Sequence, residues 1–84
     1  MTGFEVIEAV KSRKVFMTML KEIFGECTLK FDEEYSILVL KLEDGKTFWQ
    51  PLVWMMGETA EEKARCFISY IIDGLICYLD EKGE

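Results

Sequence analysis

Histidine is absent from the 84 residues. Without it there is no Ser–His or Cys–His pair for nucleophilic catalysis, and zinc loses its usual nitrogen ligand. Cysteine is scarce: Cys27, Cys66 and Cys77 show no paired spacing, which excludes a disulfide framework and a thiolate cage. Cys66 and Cys77 lie on one expected helix, roughly 16 Å apart along its axis, and cannot bridge each other. All three are expected to be small buried hydrophobes. The six glycines (Gly3, Gly25, Gly45, Gly57, Gly74 and Gly83) are isolated, so no clustered phosphate- or dinucleotide-binding loop is present. The acidic turn Asp32-Glu33-Glu34 lacks the alternating ligands and the glycine of a calcium loop. Long apolar runs are missing too. The greasiest stretch, Cys66 to Leu79, contains Asp73 and is too short to span a bilayer. Glu5 and Glu8 interrupt the first apolar residues, which argues against a signal peptide. These absences point away from an enzyme, a cofactor, a metal site or a membrane partner, and toward a cytoplasmic protein.

What remains is a small, apolar, acidic chain. Half of the residues are hydrophobic and 13% are aromatic, far too many for a disordered segment. A mass of 9.8 kDa corresponds to roughly 5,200 Å² of surface when folded, against about 14,200 Å² for the open chain. That suffices for a single domain over residues 1–84. The net charge is −6, whereas direct nucleic-acid binding needs clustered Lys and Arg. Charge is uneven along the chain. Residues 3–25 carry Lys11, Arg13, Lys14 and Lys21 against Glu5, Glu8 and Glu22, and the remainder is acidic. Such a surface keeps a protein soluble and favours a partner with a basic surface.

Local patterns predict the order α-β-β-β-α. Thr2-Gly3-Phe4-Glu5 reads as a capping box, and the stretch to Phe24 holds neither Pro nor Gly. On one wheel Val6, Val10, Met17, Leu20 and Phe24 share a face. Arg13 falls inside that arc, so either its stem lies along the core edge or the helix bends near Ser12. Cys27, Leu29 and Phe31 alternate with polar residues as in a half-buried strand. Tyr35 to Leu42 is nearly continuous apolar, the pattern of a central strand buried on both faces. Asp44-Gly45 suggests a two-residue hairpin, which would pair Glu43 with Lys46 and Leu40 with Trp49. Trp49 would then share a face with Leu38, Leu40 and Leu42, and Phe48 would share the other with Ile37 and Val39. Lys46 to Gln50 forms a third strand that Pro51 marks as an edge or an end. Thr59-Ala60-Glu61-Glu62 is a second capping box, opening a helix to about Glu81. Gly74 inside it costs about 1 kcal/mol relative to Ala, and a close approach to the sheet or to the first helix would account for it. The fold class expected is α+β, a three-stranded antiparallel meander packed with two helices.

The apolar surface exceeds what such a domain buries. The helices either cover opposite faces of the sheet and leave their backs greasy, or share one face and leave the other open. A patch of this size wants a cover, and the commonest is a second copy in a two-fold homodimer. The alternatives are a monomer wrapped well enough to hide it and a dedicated partner of another kind. Trp49, Trp54, Met55 and Met56 are the candidate partner-binding residues, since Trp and Met are enriched at interface cores; core filling is the competing role. Glu62, Asp73 and Asp80 form an acidic stripe on the last helix. Burial of Asp73 would raise its pKa and suit it to acid–base chemistry, but a solvated helix edge explains Asp73 together with Glu62, Ser69 and Asp80. The function expected is a protein–protein interaction module acting as a homodimer, of the regulator, inhibitor or chaperone-like kind. The alternatives are a module binding an apolar small ligand and an acidic nucleic-acid mimic.

Overall fold

The computed structural model describes residues 2–83. Three helices and a three-stranded antiparallel sheet follow in the order α1 (Gly3–Lys11), α2 (Lys14–Phe24), β1 (Thr28–Asp32), β2 (Ile37–Lys41), β3 (Thr47–Pro51) and α3 (Ala60–Lys82). A short 3-10 turn, Leu52–Trp54, leads out of β3. This is the expected α+β meander with β2 central. Both N-caps form: the Thr2 hydroxyl accepts from the Glu5 amide and the Thr59 hydroxyl from the Glu62 amide.

The first helix is two helices. Ser12 keeps helical angles, but its hydroxyl donates to the Ala9 carbonyl, and the Arg13 amide reaches the Val10 carbonyl in a tightened last turn. Arg13 then leaves the helical region and serves as N-cap residue of α2. The Ser12 hydroxyl on the Ala9 carbonyl is a local competitor of the helix ladder at this point. The break also lets Phe16 and Leu20 reach the core from a second helix direction, beside the wide buried arc of α1 from Ala9 to Ile7. Arg13, the residue out of place on the single wheel, reaches Glu61 at 3.0 Å instead of lining the core.

The β2–β3 register differs from the expected one by a residue. Leu40 pairs with Phe48 and Val39 with Trp49. The loop holds three residues, Glu43, Asp44 and Gly45, closed by the Leu42 amide on the Lys46 carbonyl at 2.8 Å. Only Gly45 has positive φ, +97°, which matches a type I turn with a glycine bulge rather than a type I′ turn, where Asp44 would need positive φ as well. A one-residue slip exchanges the faces of every side chain on the strand. Phe48 therefore joins Leu29, Leu38 and Leu40 in the core, and Trp49 turns outward. The strand boundaries also move. Tyr35 and Ser36 belong to the β1–β2 turn rather than to β2, β2 ends at Lys41 rather than Leu42, and β3 runs Thr47–Pro51, one residue later at both ends.

Both helices that touch the sheet lie on the same side of it. α1 packs on β1, β2 and α3, and α3 packs on β3. Two glycines mark the close approaches: Gly3 meets the Phe31 ring and Gly74 the Phe48 ring, both rings on the same sheet face. The core is built from Val6, Val10, Leu20, Leu38, Leu40, Phe67 and Ile71. The apolar run of β2 is thus covered on one face only, and Ile37 and Val39 are merely half-buried.

Candidate functional site

The face of the sheet away from the helices is open. Register places Val39 beside Trp49 in the middle of it, with Ile37 and Thr47 in the neighbouring rows. With Tyr35 these residues line a shallow, almost wholly apolar depression of about 310 Å³. Trp49 is 50% exposed and Tyr35 68%. Asp32, Glu33 and Glu34 border one end, and Lys30 lies across β2 from Trp49, on β1. Antiparallel sheets of small domains commonly solvate their second face with polar side chains. Here Thr28, Lys30, Asp32, Lys41 and Thr47 do so in part, and Ile37, Val39 and Trp49 form an apolar patch among them.

The four candidate partner-binding residues separate. Trp49 stands on the open face. Trp54, in the 3-10 turn, and Met56 are exposed at 67% and 77%, but they do not line the depression around Trp49. Met55 is only 3% exposed and fills the core. Its amide closes the turn onto the Leu52 carbonyl, and its carbonyl accepts from Lys63 at 3.0 Å. Of the four, Met55 takes the core-filling role, because a tight turn sends neighbouring side chains in different directions. Tyr35, Ile37 and Val39 were absent from the candidates; the slipped register is what brings them beside Trp49.

The acidic residues of α3 are spread out rather than clustered. Asp73 and Asp80 are exposed, about 10 Å apart along the axis. Glu62 is engaged in its capping box, where its carboxylate accepts from the Thr59 hydroxyl. Among the described residues no three His, Cys, Asp or Glu side chains come together as a metal site, and no helix is long and apolar enough to cross a membrane. Cys27 and Cys66 are half-buried, but Cys77 is exposed rather than buried, since it lies off the face of α3 that meets the sheet. Burial pushes the Cys27 thiol up, and Glu26 and Glu43 add to the effect, so it is held in its unreactive protonated form.

One polar cluster joins the β2–β3 loop to α3. The Tyr78 hydroxyl donates to Asp44, whose other oxygen accepts from the Lys46 amide. Lys82 reaches Asp44 at 3.5 Å, and Lys46 and Lys82 both lie over the Tyr78 ring. The hydrogen bond from Tyr78 holds the Asp44 carboxyl below its usual range and holds the Tyr78 phenol above its own. Each group here is satisfied by the others, as in a structural tie.

A second apolar surface runs between α2 and α3. A groove of about 710 Å³ is lined by Val15, Phe16 and Met19 on one wall and Ile68 and Ile72 on the other, with Lys14 and Arg65 at its edge. The stripe continues along α3 through Ile76, 55% exposed, and Leu79. No family model, curated protein or solved structure matches the chain.

Proposed function

We propose that the chain is a small acidic protein–protein interaction module, of the regulator, inhibitor or chaperone-like kind, that works in the cytoplasm as a homodimer. The observation that carries this reading is the uncovered sheet face with Trp49 beside the central Val39. A half-exposed Trp flanked by Ile37, Val39 and Tyr35 is the composition of an interface core, and Trp is the residue that most often dominates binding energy. Asp32, Glu33 and Glu34 at the rim suit a partner with a basic surface and would speed its encounter. Trp54 and Met56 offer further anchors beyond the end of β3.

The test compares affinity capture by the wild type and by Trp49→Lys, with partners quantified by mass spectrometry. The expected result is loss of at least one wild-type partner by the variant, with unchanged circular dichroism. Identical partner sets would remove the sheet face as the docking site.

A further inference from the structure

We infer that the groove between α2 and α3 receives α3 of a second copy, giving an antiparallel two-fold dimer centred near Ile72. This inference rests on the homodimer reading and says which surface makes it. The core-facing stripe of α3 is Ala64, Phe67, Ile71 and Leu75. One residue further on, Ile68, Ile72, Ile76 and Leu79 form a second stripe at the same helical spacing. Its first two members, Ile68 and Ile72, line the groove, and the stripe runs on beyond it, with Ile72, Ile76 and Leu79 each more than a third exposed. From Arg65 to Asp80 the strip measures about 22 Å, enough for a helix–helix contact of four turns.

Charge selects the occupant. The end of the groove at the start of α2 is cationic, with Lys14 and Arg65 at its edge. α2 has no acidic residue in its first turn and no side-chain cap, so its N-terminus adds positive character there. The far end of the α3 stripe is anionic at Asp80, while Asp73 stands beside its centre. Among the described residues, Lys14, Arg65, Asp73 and Asp80 have no ion-pair partner. A parallel α3 pair would set Arg65 against Arg65 of the partner subunit. An antiparallel pair about Ile72 sets Arg65 and Lys14 against Asp80 of the partner subunit, twice over by symmetry, while Ile68 meets Ile76 of the partner subunit. Opposite charges at the two ends of an apolar stripe make it self-complementary, as a two-fold interface requires. The four helices α2, α3 and their copies then form one bundle-like layer, and the sheet faces of both subunits remain free.

The experiment is a dimer dissociation constant by analytical ultracentrifugation on the full chain, for wild type, Arg65→Glu, Asp80→Lys and the double variant, plus Ile72→Glu and Trp49→Lys. All the charged positions are exposed, and circular dichroism checks the fold of each variant. The expected result is a dimer weakened about tenfold or more by each single reversal and by Ile72→Glu, recovery in the double reversal, and little change for Trp49→Lys. A dimer that survives the reversals and Ile72→Glu overturns the α3 interface but leaves the homodimer standing. If it instead dissociates with Trp49→Lys, the sheet face is the interface. A wild type that stays near 9.8 kDa throughout the micromolar range overturns the homodimer itself.

Discussion

Gly74 occupies the interior of α3, where glycine is about 1 kcal/mol worse than alanine. A Cβ there would stand 2.8 Å from the Phe48 ring. That ring is buried, and Tyr78 meets it edge-on at 6.4 Å, so it has little room to yield. Overpacking of this kind costs about 1–3 kcal/mol, more than the gain in helix propensity. Gly74→Ala is therefore expected to destabilise the fold by about 1 kcal/mol, read by urea denaturation; a stabilised variant would mean that the ring moves freely. The sequence flags this glycine as a close approach, since nothing local requires it. Which side chain it meets depends on the hairpin register, and there residue-level reading goes astray. Phe48 and Trp49 are both large, aromatic and adjacent. Either could point inward, and only the slot beside Gly74 discriminates between them.

At the scale of elements, the Asp44 loop is held to α3 by side chains remote in sequence. Its pH dependence has a defined sign. Asp44 titrates below its usual range in the fold, so its contribution is complete above the ordinary carboxylate range and is lost as pH falls through that lowered value. Tyr78 titrates above its usual range, so its contribution is complete below the ordinary phenol range and is lost as pH rises through the raised value. Thermal stability should show a plateau between these limits, and Asp44→Asn and Tyr78→Phe should each flatten both limbs, because each shift comes first from the bond to the other group. Melting curves across pH check this; limbs that both variants leave unchanged would assign them to other groups. The ends of α1 and α3 were legible through their capping boxes, because a cap is a local hydrogen bond. The break at Ser12–Arg13 was legible only as an anomaly, a charged residue in an apolar arc. It contains no Pro or Gly, and what marks it is the Ser12 hydroxyl on the Ala9 carbonyl, a bond that competes with the helix ladder.

For the whole molecule, the decisive fact is that α1 and α3 share one face of the sheet. The folded chain exposes 5549 Å², about 350 Å² above the value expected for its mass, and its extents of 40 × 25 × 19 Å are elongated. Two apolar surfaces result, the sheet face around Trp49 and the stripe of α3 beside α2. Assigning the stripe to a second copy and the sheet face to another protein gives each a separate role. A dimer couples folding to association, so the melting temperature should rise by about 5–10 °C for a hundredfold increase in protein concentration. Scanning calorimetry over that range checks it, and a melting temperature independent of concentration would argue for a monomer.

The sequence by itself determined the α+β class, the order of the strands, both N-caps and a surplus of apolar surface. Each of these follows from periodicity, from local hydrogen bonding or from composition, which act within a few residues or over the whole chain. Tertiary structure decided the break between α1 and α2, the hairpin register, the burial of Met55 and the side of the sheet that stays open. These depend on which of several equally apolar side chains fits a given space between elements, and that space exists only once the elements have packed.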